Sequence, residues 1–218
     1  MCVFGMPPVD FIELAASLDC RHIGIGLAAM RYYNPHGYAD WSLKSDPQLR
    51  RETLAALRHS DITTSLCEGF GVRKGFSVGD QAADLDIVAE LGGVRINIAS
   101  TDPDLQRTLD EFALLAEMAA ARGIQTVFEL GVGPMKNLAA AIAAVRHVDQ
   151  PYFKILLDTM HFFRLGGTVA ELAQIDPALI GYVQLCDAPW QPAFPTYMEE
   201  ALHERLVPGT GELPLAEA

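Results

Sequence analysis

Apolar residues along this chain follow two alternating rhythms. Short runs rich in β-branched residues recur at 22–26 (HIGIG), 62–66 (ITTSL), 94–98 (VRINI), 124–128 (IQTVF), 154–157 (KILL) and 181–185 (GYVQL), nearly evenly spaced from the second onward. Runs of that length and composition predict buried strands. Between them the period changes. Leu49, Leu54 and Leu57 mark 47–59; Leu85, Val88 and Leu91 mark 79–91; Leu105, Leu109, Phe112, Leu115 and Met118 mark 103–121; Leu138, Ile142 and Val145 mark 137–147. Each set forms one apolar stripe, which predicts an amphipathic helix. Asp46-Pro47 and Asp102-Pro103 place N-caps before first-turn prolines, and Gly123 stands where a left-handed C-cap is wanted.

Strand, helix and strand in alternation, with one repeat about every 30 residues, predict a parallel sheet of βα units. A doubly wound nucleotide-binding sheet would carry GxGxxG in its first βα turn, and "GIGLAA" at 24–29 supplies only two glycines. The polar residues point elsewhere. Glu68, Asn97, Glu129, Asp158, Gln184 and Asp187 lie at or just beyond the C-terminal ends of successive strands, the arrangement of a barrel's active face. The expectation is therefore a TIM barrel forming one domain over residues 1–218.

Composition narrows the function. Half of the 218 residues are hydrophobic, enough for a substantial core, and 28 acids against 16 bases leave a formal charge of −12. That balance disfavours nucleic acid, whose binding depends on clustered Lys and Arg. No apolar run is long enough to span a bilayer, and the first residues lack a signal-peptide pattern, so no membrane partner is expected and the location expected is cytoplasmic. Cys2, Cys20, Cys67 and Cys186 lie far apart with no CxxC pair, which predicts reduced thiols.

Three consecutive strands end in oxygen-bearing side chains: Glu129 in "TVFEL", Asp158 in "KILLD" and Gln184 in "GYVQLCD". Two carboxylates aimed into one mouth repel each other unless a cation lies between them. An oxygen-rich set suits Mg²⁺ or Mn²⁺, with Zn²⁺ or Co²⁺ as alternatives; the plainer reading is that the acids cap the helices that follow. His161, three residues past Asp158, is expected to bind substrate or act on it, and Arg164 to hold an anionic or hydroxyl-rich substrate. Lys136 is a candidate to polarise a carbonyl or donate a proton. Glu68, with Gly69 and Gly71 beside it, is a substrate-binding candidate, and Asp187 could orient a ligand. Tyr32 and Trp41 could wall a sugar ring.

The segments "FEL" (128–130), "LLDTMHFFR" (156–164), "YVQLCDAP" (182–189) and "PGTGELPL" (208–215) resemble, in order and spacing, the xylose isomerase-like TIM-barrel superfamily of sugar phosphate isomerases and epimerases. The resemblance implies a (β/α)8 barrel, here lacking the eighth strand and part of the first, with Cys2, Val3 and Phe4 as the end of that first strand. It implies that Glu129 and Asp158 hold metal, that His161 touches substrate, and that Gln184 replaces the His ligand of many members. Glu212 is expected to begin a helix. The activity implied is a divalent-metal isomerase or epimerase of a small sugar-like hydroxy-carbonyl compound, proceeding through an enediolate with Glu129 moving the proton. Two alternatives stay open: a metal-dependent dehydratase of the dehydroshikimate or inosose type, and an inactive barrel that binds a ligand. The partners implied are a small carbohydrate-like molecule and a second copy of the chain in a homo-oligomer.

Overall fold

The computed structural model describes residues 3–30, 34–131 and 133–217. Six strands form one sheet in the order β1 (His22–Gly26), β2 (Thr63–Val72), β3 (Arg95–Ser100), β4 (Gln125–Glu129), β5 (Phe153–Asp158) and β6 (Ile180–Gln184). Every strand lies next to its sequence neighbour, and β1–β2 and β5–β6 pair in parallel. Helix α1 (Pro8–Ser17) precedes β1 and α8 (Tyr197–His203) follows β6; between the strands lie α2 (Pro47–Ser60), α3 (Ala82–Glu90), α4 (Leu105–Ala120), α5 (Leu138–Val148), α6 (Thr159–Arg164) and α7 (Val169–Leu172). Sequential parallel strands joined through helices give the βα repeat of a partial TIM barrel. No helix among the described residues is long and apolar enough to cross a membrane.

The chain divides into two compact units. The first comprises Met1–Gly71, Gly75–Ile98 and Leu114–Thr126, and its core includes Ile12, Leu43, Leu66, Leu85, Ile96 and Leu115, all at most 2% exposed. Here α1 packs on α2 and β1. Asp46 caps α2 as expected, accepting from Gln48 N at 2.9 Å and Leu49 N at 3.0 Å. Among the described residues of this unit two thiols are free, the exposed Cys20 and the buried Cys67; burial first, then Glu68, pushes the Cys67 pKa up to about 12.

The second unit comprises Val72–Lys74, Ala99–Ala113 and Val127–Ala218. Its core is aromatic: Phe128 and Phe153 stack with centroids 4.8 Å apart, and Phe112 tilts against them at 5.7 and 5.8 Å. Phe153→Leu keeps the apolar surface but opens a gap beside that stack, so unfolding in denaturant is expected to show a loss of about 1–2 kcal/mol. Helix α4 begins two residues later than its sequence signal. Asp104, not Asp102, accepts from Arg107 N at 3.0 Å, while Asp102 turns to accept from Asp104 N at 2.9 Å and pairs with the Arg107 guanidinium. Val3 and Phe4 lie in a bend and turn rather than a strand, and Cys2 falls outside the described residues.

Candidate metal centre

Strands β4 and β5 deliver the site. Their apolar runs bury Val127, Phe128, Ile155 and Leu156, and each ends on a carboxylate, Glu129 and Asp158. Asp158 also starts α6: its Oδ1 accepts from His161 N at 3.1 Å, an N-cap bond that turns the chain back toward the strand end. The capping reading of Asp158 therefore holds, and the cap leaves Oδ2 turned to the side of the cluster. That turn brings His161 Nε2 to 3.1 Å from Glu129 Oε1 and 3.9 Å from Asp158 Oδ2.

Glu129, Asp158 and His161 each offer a ligand atom, all within 4.8 Å of one another. Atoms bonded to a single ion at 2.0–2.6 Å lie at such separations, so the cluster fits a divalent cation. His161 thus joins the candidate donors, beside the substrate-binding or catalytic part expected of it from the sequence. Gln184 lies directly beside Asp158 in the β5–β6 ladder and is half-buried. Gly131 makes room for the imidazole: its φ is +103°, and a Cβ there would stand 3.3 Å from His161 Cβ.

Three residues with no periodic signal complete the surroundings. Arg205 reaches Asp158 Oδ2 with Nη1 at 2.6 Å, and its Nη2 lies 3.3 Å from His161 Nε2. Burial weakens its charge, but Asp158 more than restores it and holds the guanidinium pKa above its usual range. Cys186 Sγ sits 3.1 Å from Arg205 Nη1; burial first, then Asp158, raises its pKa. The Tyr197 hydroxyl bonds His161 Nδ1. Burial first, then Asp158, raises the Tyr197 pKa, so the phenol keeps its proton at neutral pH. Tyr197 also lines a cavity of about 310 Å³ together with Gly131, Arg164, Phe194 and Thr196, at the lower end of the sizes that hold small organic ligands.

Several residues proposed from the sequence have other employment. Arg164 is a tether: Nε bonds Glu200 Oε1 at 2.6 Å, Nη1 bonds Trp190 O at 3.1 Å and Nη2 bonds Pro189 O. A guanidinium holding one buried carboxylate and two carbonyls is a poor candidate for gripping a substrate. Asp187 is 1% exposed and accepts four backbone N–H bonds, from Ala188, Gly209, Gly211 and Leu213, at 2.9–3.0 Å; it organises the chain rather than a ligand. Glu212 begins no helix but accepts from Trp190 N at 2.7 Å. Lys136 is exposed on the loop between β4 and α5. In the first unit, Glu68 accepts from Asn97 Nδ2 at 2.9 Å and Trp41 Nε1 donates to Gly5 O at 3.0 Å, which anchors the indole. Tyr32 lies outside the described residues.

Residues 74–218 match a family model described as xylose isomerase-like TIM barrel. A curated relative, a 3-dehydroshikimate dehydratase of Pseudomonas putida, is 30% identical over 138 residues, covering 60% of this chain and 21% of its own length. The chain therefore spans about a fifth of that protein. Among solved structures, a xylose isomerase-like TIM barrel/4-hydroxyphenylpyruvate dioxygenase fusion protein superposes with a TM-score of 0.74 at 25% identity, over 98% of this chain and 34% of the other. The IOLI protein, solved with a binding zinc atom, superposes with a TM-score of 0.73 at 16% identity, over 94% of this chain and 76% of its own.

Proposed function

The chain belongs to the xylose isomerase-like TIM barrel family, and from that premise we propose that it is a divalent-metal-dependent lyase that removes water from a small cyclic hydroxy-keto acid. The observation that carries the reading is the Glu129–Asp158–His161 cluster, whose donor atoms suit one cation; the dehydratase relative supplies the reaction type. One imidazole beside two carboxylates suits Mn²⁺, Zn²⁺ or Co²⁺ better than Mg²⁺. When bound, the cation supplies Lewis-acid polarisation of the substrate carbonyl.

The chain's own groups divide the remaining work. Glu129, at a strand end and only partly exposed, takes the proton from the carbon next to the carbonyl. The Tyr197 hydroxyl, hydrogen-bonded to Nδ1, fixes the orientation of His161 so that Nε2 faces the two carboxylates; an Nδ1–H donated to the phenol oxygen would leave the Nε2 lone pair for the cation. With His161 committed to the cluster, Lys136 remains as the proton donor to the leaving hydroxyl. The step balances: a C–H bond and a C–O bond break, a C=C bond forms, and the hydroxyl leaves as water. Isomerases and epimerases share the proton abstraction but return the proton to carbon, so product analysis separates them. Incubating the protein with Mn²⁺ and 3-dehydroshikimate in deuterated water, followed by NMR, is expected to show a dehydrated product. Glu129→Gln is expected to slow its formation by at least about 100-fold. Deuterium exchange without loss of water would reassign the protein to the isomerases.

A further inference from the structure

Glu68 takes no part in the metal centre, yet its surroundings in the first unit are built around it. Strand β1 ends at Gly26, which pairs with Glu68 on β2. Paired residues of neighbouring strands share a face of the sheet, so Gly26, and Gly24 paired with Leu66, leave that face bare beside the carboxylate. A Cβ at Gly26 would meet only Ala28 O, at 3.5 Å, among the described residues. Glu68 is half-buried, so part of it is reached from outside. From β3, the other neighbour of β2, Asn97 donates Nδ2 to Glu68 Oε2 at 2.9 Å. Asn97 is 5% exposed, and its Oδ1 is buried with no hydrogen-bond partner among the described residues. Exchanging the amide oxygen and nitrogen would not relieve it, because an oxygen would then face the carboxylate. A buried unpaired carbonyl is unfavourable, and an apolar side chain at this position would avoid it. The fold keeps the amide, and what the amide does is hold Glu68.

We propose that Glu68 is a hydroxyl-binding carboxylate for a neutral polyol ring, that the ring reaches it over Gly26, and that Asn97 is the positioning residue that fixes its orientation. The chemistry selects the class. A carboxylate steadied by an amide N–H offers acceptors, which take O–H donors, whereas an anion would be repelled by it and by a chain of net charge −12. The chain that leaves β1 adds an apolar element. Ala29 N bonds Trp41 O at 3.0 Å and Leu43 N bonds Leu27 O at 2.9 Å, which brings Trp41 to the same strand end; its half-buried indole is anchored through Nε1 to Gly5 O. A carboxylate for hydroxyls and an aromatic ring for C–H faces are the two groups that a sugar-like ring asks for. The site lies within the first unit and is independent of the metal-centre reading.

Titration of the protein with D-glucose, a neutral polyol ring, followed by NMR in the presence of EDTA, tests this. EDTA keeps metal out of the Glu129–Asp158–His161 cluster, so failure here and failure of the dehydration assay are separate results. Saturable binding is expected, and Glu68→Gln is expected to weaken it by at least about tenfold, because the acceptor loses its charge. Gly26→Ala is expected to keep the denaturation midpoint and to abolish binding, because its methyl group fills the approach without meeting the protein closely. Asn97→Val separates positioning from packing. Its denaturation midpoint is expected to be unchanged or higher, since the unpaired carbonyl leaves with the amide, while binding weakens by at least about threefold. A lower midpoint with unchanged binding would make Asn97 a packing residue and overturn its positioning role. Glucose 6-phosphate is expected to bind more weakly than glucose; tighter binding would overturn the neutral class. No saturable binding to the unsubstituted protein, or binding that Glu68→Gln and Gly26→Ala leave unchanged, would overturn the site itself.

Discussion

Asp187→Ala is expected to destabilise the protein by about 4 kcal/mol, because four backbone N–H groups lose their acceptor at once. The carboxylate joins Ala188, Gly209, Gly211 and Leu213 and ties the segment after β6 to the turns at 208–213. Gly211 approaches so closely that a Cβ there would stand 2.4 Å from Asp187 Oδ1. Burial opposes ionisation of Asp187, but the N–H bonds from Gly211, Leu213, Ala188 and Gly209 outweigh it and hold the pKa below the usual carboxylate value. The sign of the pH dependence follows. A lowered folded pKa contributes stability that is fully present above the unfolded value, near 3.9, and is lost as pH falls through the folded value. The gap in Tm between the unsubstituted protein and Asp187→Ala is therefore expected to be flat at neutral pH and to narrow on acidification below about pH 4. A gap that persists unchanged at low pH would mean that the charge on Asp187 is not what holds the loop.

Strands β3, β4 and β5 were legible because a strand buried on both faces is a short, continuous apolar run. All six predicted runs became β1 to β6, five of them within two residues at each end, while β2 runs six residues further, to Val72. The long helices were legible through their stripes, and α2 also through Asp46, which caps it; α5 starts one residue later than its stripe suggested, because Asn137 is its cap. The candidate site was legible at two strand ends, Glu129 and Asp158, and at His161 three residues on, though not in how His161 reaches Glu129. Helix α6 has six residues and α8 seven, too short for a stripe to repeat, so the turn that carries His161 into the cluster had no periodic signature. Arg205 meets Asp158 across 47 residues of chain, a contact that no local pattern encodes. The partners of Arg164 and Asp187 were out of reach for a related reason. A guanidinium or carboxylate near a strand end can serve backbone groups as well as it serves a ligand, and spacing alone does not distinguish the two. Only the partners do: Pro189, Trp190 and Glu200 for Arg164, four amides for Asp187.

Asp158→Asn and Asp158→Ala are expected to weaken Mn²⁺ binding by more than about 100-fold, exceeding what loss of an outer-shell partner costs. Electron paramagnetic resonance of free Mn²⁺ would read this directly. Both variants also leave the Arg205 guanidinium without its counter-charge, which is expected to cost about 3–5 kcal/mol of stability; Asp158→Ala loses the α6 cap as well, a further ~1 kcal/mol. The two jobs of Asp158 separate in the double variant Asp158→Asn with Arg205→Gln. Removing both charges together removes the stranded cation, so most of the lost stability is expected to return, as it does when buried ion pairs are replaced whole. Metal binding is expected not to return, because no substitution restores the missing ligand oxygen. Should Asp158→Asn bind Mn²⁺ as tightly as the unsubstituted protein, the carboxylate would be a cap and an ion-pair partner only. The chemistry would then have to be built from Glu129 and His161 without it.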